Sequence, residues 1–169
     1  LILDASNGAT LGMQKLKDDI NSVYVDAQTD KYYVLSKKNL IELNTKNGEI
    51  VREKEFDSDF RVIYDLKDDV ILLGNSKLNI LNPIDLSLKY PKSIGVTNRA
   101  TNSIDIGQNR IYTFAYPGKY IIKMVDQKGD KIWEDEENTS STPSIDIIKD
   151  GLLVINSVSG RYISLKDGK

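Results

Sequence analysis

The sequence contains no cysteine and no histidine among its 169 residues. Without cysteine, the chain can form no disulfide, use no thiolate nucleophile and bind no metal through sulfur. Without histidine, it lacks the commonest general base and the commonest metal ligand of proteins. We therefore interpret the chain as non-enzymatic and expect no cofactor.

Long apolar runs and blocks of basic residues are also missing. No stretch approaches the ~18 consecutive apolar residues that a membrane-spanning helix needs, so we expect no membrane insertion. The formal net charge is −2, and charges of both signs are spread along the chain. This distribution argues against nucleic-acid binding through phosphate neutralisation. The length and the 40% apolar share suit one domain with a sizeable core.

The start of the chain shows neither a signal peptide nor an initiating methionine. Its first residues, LILDASNG, are typical of a strand followed by a turn. We therefore expect a mature, trimmed or partial chain.

A turn motif recurs about every 40 residues. An apolar strand end is followed by Asp or Asn and then, after a short interval, by Gly. Glycine tolerates the positive φ that a tight reversal requires. Copies of the motif end at Gly8, Gly48, Gly129 and Gly168, and a degenerate copy without Gly begins at Asn82.

The segments between these turns are typical of four successive strands. The second strand is apolar on consecutive residues, as in VILLG from Val70, which indicates burial of both faces. In the fourth strand, apolar and charged residues alternate, as in EIVREKEF from Glu49. LSLKYP from Leu86 is another predicted copy of this strand. Such a pattern favours an outer strand that is half exposed to water.

These features predict an all-β protein, a β-propeller of four-stranded antiparallel blades. The predicted repeats cover residues 1–21, 22–60, 61–102, 103–142 and 143–169. The first and last are incomplete, so the chain amounts to about four blades. It is part of a larger propeller, half of a ring that two copies complete, or a four-bladed form. A parallel β-helix, the main alternative, has shorter rungs without hairpin turns.

An unclosed propeller would expose apolar blade faces. Large exposed apolar patches attract a partner. We therefore expect self-association through blade faces or a protein partner.

The turn from Asp126 to Gly129 and the following Asp-Lys-Ile-Trp133-Glu resemble the repeat of pyrroloquinoline-quinone-like propellers. The turn ending at Gly48 is similar, with Arg52 at the Trp position. The resemblance implies that the turn glycines are structural. It also implies that Trp133 anchors the packing between neighbouring blades rather than stacking on a ligand.

That family includes quinone-dependent alcohol and sugar dehydrogenases together with non-enzymatic members. The dehydrogenases carry an adjacent Cys pair, a Trp platform under the quinone and acidic Ca²⁺ ligands. This chain has no Cys, and its single Trp lies in an outer strand. The resemblance therefore implies the non-enzymatic branch, a scaffold or binding module outside the bacterial cytoplasm. The alternatives are a segment of a propeller enzyme whose active site lies elsewhere, and a carbohydrate- or peptide-binding module.

Two groups of residues are candidates for contacts with a partner. The segment Tyr-Pro-Gly-Lys-Tyr places Tyr116 and Tyr120 around a predicted type II turn, although ordinary strand aromatics would give the same pattern. The acidic run EDEE is typical of a solvated loop, in which Glu134 and Asp135 could dock a basic partner.

Three acidic residues could suggest a Ca²⁺ loop, namely Asp126, Asp130 and Asp135. Their spacing lacks the acidic ladder at every other residue and the closing Glu of such loops. We therefore interpret them as parts of a solvated hairpin turn and predict no metal site.

Overall fold

The computed structural model describes residues 2–3, 6–13, 15–26, 31–67, 69–96, 98–139, 141–157 and 159–169. All regular structure within these residues is β-strand, which confirms the predicted all-β class. Over the same ranges, no helix has the length and apolarity to cross a bilayer. The chain divides into two compact units, Leu1–Lys89 with Gly95–Thr97 and Tyr90–Ile94 with Asn98–Lys169.

The first unit contains three antiparallel sheets. The first sheet pairs β1 (Ile2–Leu3) with β2 (Thr10–Gly12). The second sheet consists of β3 (Ser22–Asp26), β4 (Lys31–Ser36), β5 (Asn39–Asn44) and β6 (Ile50–Glu55). The third sheet consists of β7 (Val62–Leu66), β8 (Asp69–Leu73) and β9 (Leu78–Leu81).

The second unit contains two antiparallel sheets. One consists of β10 (Ala100–Ile106), β11 (Asn109–Tyr116), β12 (Lys119–Val125) and β13 (Lys131–Glu137). The other consists of β14 (Ser144–Ile148), β15 (Gly151–Ile155) and β16 (Gly160–Ser164). Within every sheet, each strand pairs with its neighbours in the sequence, as the repeat predicts.

Each unit has an apolar core between two of its sheets, because the second strands are apolar on both faces. The strand β8 is buried at every position. In the first unit the core includes Tyr33, Leu35 and Leu40 from one sheet and Ile63, Val70, Leu72 and Leu81 from the next. In the second unit it includes Ile111, Tyr120, Ile122, Met124 and Trp133 from one sheet and Ile145, Leu152, Val154 and Ile163 from the next. Full burial of each such side chain contributes about 1.5–3 kcal/mol.

The repeated turn has the same main-chain hydrogen bond in three copies. The fifth residue donates its N–H to the first residue's carbonyl, over 2.8–2.9 Å, in the pairs Gly48–Asn44, Leu86–Asn82 and Gly168–Ser164. The fifth residue has a φ between 58° and 73° in each copy. Because a Cβ is disfavoured in that region, glycine is the usual occupant, and Leu86 takes its place at a cost in strain.

The other two copies differ slightly. Gly129 donates to Asp126 across 3.0 Å in a turn that is one residue shorter. Gly8 has a φ of 72°, as the motif predicts, while Asp4 and Ala5 of its turn lie outside the described residues.

The predicted fourth strand beginning at Leu86 is wrong. This part of the chain forms a single β-bridge between Leu81 and Leu88, so the third sheet has three strands. The positive φ of Leu86 turns the chain, and Pro83 and Pro91 on either side supply no N–H to a ladder. The charge alternation of a strand is therefore present here without the backbone conformation of one.

Candidate functional site

Each of four repeats places one residue against a turn that follows it in the sequence. These residues follow the positive-φ residue of their own turn by four positions and are Gly12, Arg52, Tyr90 and Trp133. We call these four contacts the joints.

Trp133 packs between the two sheets of the second unit. Its side chain is 6% exposed and belongs to the apolar core. Its indole N–H donates to the carbonyl of Leu165 over 2.9 Å, and its ring lies against Gly168, where an added Cβ would approach to 2.9 Å. Trp133 therefore serves in packing between these two sheets.

Arg52 makes the corresponding joint in the first unit. Its guanidinium donates to the carbonyl of Ile84 over 2.9 Å and pairs with the buried carboxylate of Glu42. The Lys31 ammonium lies 4.0 Å from the same carboxylate. At this repeat position the first unit therefore has a charged cluster, where the second unit has the apolar contacts of Trp133.

The remaining two joints differ in side-chain size, because Gly12 has no side chain and Tyr90 has a large aromatic one. At Gly12 the backbones touch, because an added Cβ would lie 1.9 Å from the carbonyl oxygen of Asn47. At Tyr90 the side chain lies against Gly129, whose added Cβ would lie 3.1 Å from the Tyr90 Cβ. Substitution at Gly12 would push its sheet away from the turn at Asn47.

The predicted turn between Tyr116 and Tyr120 is confirmed. Tyr116 pairs with Lys119 across a two-residue turn, and Gly118 has the φ of 77° that a type II turn needs. Tyr116 is half-buried, and the Lys119 ammonium lies 5.5 Å from its ring centre. Tyr120 is only 1% exposed and belongs to the core, so its ring offers no surface to a partner.

The expectation of a solvated acidic loop after Trp133 is wrong, because these residues form the end of β13. The acidic side chains are matched by cations. Glu134 pairs with Lys123 at 2.7 Å, and Glu136 pairs with Lys119 at 2.9 Å, both across the strand pair. Cross-strand pairing of this kind stabilises charge within a sheet.

Asp135 and Glu137, on the other face of β13, bind Arg161 of β16. Asp135 accepts two hydrogen bonds from the Arg161 guanidinium, and the Arg161 Nε lies 2.8 Å from the Glu137 carboxylate. The Tyr120 hydroxyl donates to Glu137. This Arg161 cluster brings two of the predicted contact residues, Tyr120 and Asp135, together in a structural ion network, and their predicted role in binding stays a prediction.

The Arg161 cluster shifts the acidity of its members. The hydrogen bond from Tyr120 and the charge of Arg161 hold the pKa of Glu137 below its ordinary value. Burial and the hydrogen bond to Glu137 raise the pKa of Tyr120. The hydrogen bonds to Asp135 raise the pKa of Arg161. All three shifts favour the protonation states that hold the two sheets together.

The acidic turn at Asp126 stabilises the backbone. The Asp126 carboxylate accepts hydrogen bonds from the N–H groups of Lys128 and Asp130, and the bond from Asp130 lowers its pKa. Asp130 pairs with Lys92 at 2.7 Å. In the described part of the chain, no group of three acidic side chains could hold a metal ion.

One face of the sheet β14–β16 in the second unit carries exposed apolar side chains. The cross-strand register puts Ile148, Leu153, Ile155 and Tyr162 on the face opposite the core, together with the exposed Asp146, which pairs with Leu153. We call the four apolar residues the open face. Ile155 is 44% exposed and Tyr162 is 49% exposed.

Tyr162 is fixed in place on the open face. An added Cβ at Gly151 would fall within 2.1 Å of the Tyr162 ring, so the ring lies flat across this glycine. The Tyr162 hydroxyl donates to Asp150 over 2.7 Å, which raises the pKa of Tyr162. A held aromatic ring loses little conformational entropy on binding, which is typical of interface anchors.

The sequence predicted exposed apolar blade faces, but it did not single out the residues of the open face or Arg161. The available signal was the run of apolar residues on both faces of β15, together with Tyr162 at the paired position in β16. For Arg161 the signal was a cation whose strand neighbours are apolar, opposite the acidic residues of β13.

No family model and no curated protein sequence matches the chain. The fold is similar to the computationally designed Ika4 protein, with 10% identity and a TM-score of 0.51, covering 93% of this chain and 98% of Ika4. It is also similar to BamB from Moraxella catarrhalis, with 16% identity and a TM-score of 0.52, covering 90% of this chain and 51% of BamB.

A third similar structure is the hydrazine synthase of Kuenenia stuttgartiensis, with 11% identity and a TM-score of 0.50, covering 91% of this chain and 48% of the enzyme. The chain therefore spans about half the length of these two natural proteins. Both have propeller-type folds, and the chain is likewise a β-propeller protein of about four blades. Similarity at such low identity shows the fold alone.

Proposed function

We propose that this chain is a non-catalytic scaffold of the pyrroloquinoline-quinone-like propeller type, which binds another protein through the open face. The observation that carries the proposal is the fixed Tyr162 ring, which is half exposed and pairs with Leu153 on the open face. Binding hot spots are enriched in such aromatics, surrounded by contacts that exclude water.

The shape of the surface favours a protein over a small molecule. The open face is one side of a three-stranded sheet rather than a cleft. Small-molecule sites are concave and enclose most of the ligand, whereas protein partners cover broad surfaces. A protein is therefore the occupant that buries the whole open face.

The acidic residues of the second unit support a structural rather than a catalytic use. Glu134, Asp135 and Glu137 are held by Lys123, Arg161 and Tyr120. A general acid or base must reach its substrate, and these carboxylates are turned toward partners within the chain. The proposal includes a location in the bacterial periplasm or at the cell surface, which rests on the family resemblance alone.

Site-specific photo-crosslinking tests the proposal. A benzoylphenylalanine replaces Tyr162, and the full chain is irradiated in an extract of the organism that makes it. The matched control carries the probe at Ile84, which is 79% exposed and lies outside the open face. We expect a discrete protein product from position 162 only. Identical patterns from both positions would contradict the proposal.

A second assay addresses the alternative of a quinone enzyme. The purified chain is mixed with pyrroloquinoline quinone, Ca²⁺, an electron-accepting dye and a panel of alcohols and sugars. We expect no dye reduction above the protein-free blank. Sustained turnover that one point substitution abolishes would overturn the non-catalytic assignment.

A further inference from the structure

We propose that the protein covering the open face is a second copy of this chain, which docks the β3 side of its sheet β3–β6. The inference rests on the proposed function and names its partner. The chain itself carries two examples of how such a face is covered, one in each unit.

The open face has a buried equivalent in the neighbouring sheet. Ile111 and Leu153 are each the third residue after a two-residue turn, and they pair with Met124 and Tyr162. By the same count, Ile155 aligns with Thr113. In the sheet β10–β13 the three equivalent side chains, Ile111, Thr113 and Met124, are at most 3% exposed. Leu153, Ile155 and Tyr162 therefore lie at sheet-packing positions, and no other sheet among the described residues of the second unit covers them.

The covering face has a constant pattern in both units. It presents one apolar side chain from the first strand, two from the second and one from the third. In the second unit these are Ile145, Leu152, Val154 and Ile163. In the first unit they are Ile63, Val70, Leu72 and Leu81.

The sheet β3–β6 carries the same pattern. The cross-strand register assigns the four positions to Val23, Tyr32, Val34 and Leu43. Val23 is 55% exposed, whereas its equivalents Ile63 and Ile145 are at most 8% exposed. Val25, two residues along β3, is 49% exposed. Val34 is only 6% exposed, so the accessible part of this pattern in a second copy is its β3 edge, at Val23 and Val25.

The two-stranded sheet β1–β2 leaves β3 accessible. The strand β2 approaches the sheet at the turn after β5, where Gly12 lies against Asn47. The strand β3 forms the opposite edge of the same sheet. The docking surface therefore includes the half of the sheet that carries Val23 and Val25.

The proposed contact joins two different surfaces, so it is heterologous. Two copies that form it twice close a ring, and a rotation that does not close would give a longer assembly. In either case each copy uses Tyr162 once and Val23 once. Substitutions at the two residues should therefore weaken association equally.

Cysteine cross-linking provides a direct test, because the natural chain has no cysteine. The strand β4 contacts β7 of the next sheet in the first unit, so β15 of one copy should contact β3 of the other. A chain with Ile155→Cys is mixed with a chain carrying Val23→Cys and is treated with a short bismaleimide. We expect a covalent dimer from the mixture and not from either variant alone.

The matched control mixes Ile84→Cys with Val23→Cys. Cross-linking of this pair to the same extent, or of a single variant with itself, would overturn the head-to-tail contact. Light scattering supplies an independent readout on Tyr162→Lys and Val23→Lys. Each should weaken association at least about tenfold, with the strand content unchanged by circular dichroism. An unchanged mass for either variant would also overturn the inference.

The outcomes separate this inference from the proposed function. If the probe at position 162 captures a different protein and the mixed cysteine variants stay unlinked, the scaffold function holds and the second copy is excluded. If the probe captures nothing beyond the Ile84 control and the mixture stays unlinked, both proposals fail.

Discussion

Arg52 in the first unit and Trp133 in the second occupy the same repeat position, and they hold the next sheet by different means. Trp133 combines apolar packing with one indole hydrogen bond to the carbonyl of Leu165. Arg52 combines a hydrogen bond to the carbonyl of Ile84 with an ion pair to Glu42. At these two joints a bulky side chain donates to a turn carbonyl, and the repeat position accepts either residue type.

The two joints differ in why the loss of the side chain lowers stability. Removal of an apolar side chain leaves a cavity, whose cost depends on how far the surroundings relax. Removal of a cation from a buried ion pair leaves an uncompensated charge. Four substitutions would test this difference, from the largest expected effect to the smallest.

Replacing Trp133 by alanine should have the largest effect. We expect Trp133→Ala to lower the free energy of unfolding of the second unit by about 3–4 kcal/mol, because a 6% exposed indole is lost from the core. Urea unfolding combined with hydrogen exchange of β14–β16 measures the effect. The control Ile132→Ala, at a 43% exposed neighbour, should cost less than about 1 kcal/mol.

Replacing Arg52 by alanine should cost about 2 kcal/mol in the first unit. The Glu42 carboxylate would keep only the ammonium of Lys31, which is 4.0 Å away. Urea unfolding of Arg52→Ala, Glu42→Gln and the double variant forms a thermodynamic cycle. The double variant should lose less stability than the sum of the two single variants. An additive cycle would show that Arg52 acts through packing alone.

Alanine at Gly168 should cost about 2 kcal/mol, from the positive φ of 72° and the contact of the new Cβ with Trp133. Gly8 is the matched control, since it has the same φ and no atom within 4 Å of the new Cβ. Gly8→Ala should therefore cost only about 1 kcal/mol. Combining Gly168→Ala with Trp133→Ala should remove the steric part of the penalty. Equal costs at the two glycines would refute the contact.

The smallest expected effect is a loss of folding stability at low pH. The folded chain lowers the pKa of Glu137 below 4.5, so this group stabilises the fold above that pH, and the contribution is lost as pH falls through the folded pKa. The second unit should lose stability as the pH falls below 4.5, the ordinary pKa of this group. In Glu137→Gln this part of the pH dependence should be absent. An unchanged pH profile of hydrogen exchange in β14–β16 would disprove the role of Glu137.

The sequence predicts the strands well where packing imposes a period. The strand β8 is apolar throughout because both of its faces are covered, and its pattern indicates this directly. The turn glycines are equally visible, because their φ requires them. These local requirements determine the order and pairing of most strands.

Other features depend on tertiary contacts and are hidden in the sequence. Leu86 takes a glycine position because its side chain is buried in the core, which no turn propensity indicates. Tyr120 lies beside a turn that favours exposure, yet the adjacent sheet covers its ring. The acidic run of β13 suggests a loop until Lys123 and Arg161 are brought to it. Charge patterns alone therefore do not reveal that this segment is a strand.

The acceptor in two of the joints is a main-chain carbonyl, at Ile84 and at Leu165. Every residue carries such a carbonyl, so the donor side chain places no demand on the sequence of the neighbour it holds. A duplicated repeat could therefore join at the outer strand of any existing one, and the two copies could then diverge freely. The gene of such a chain can lengthen one repeat at a time, while each new joint is adjusted by mutation at a single codon.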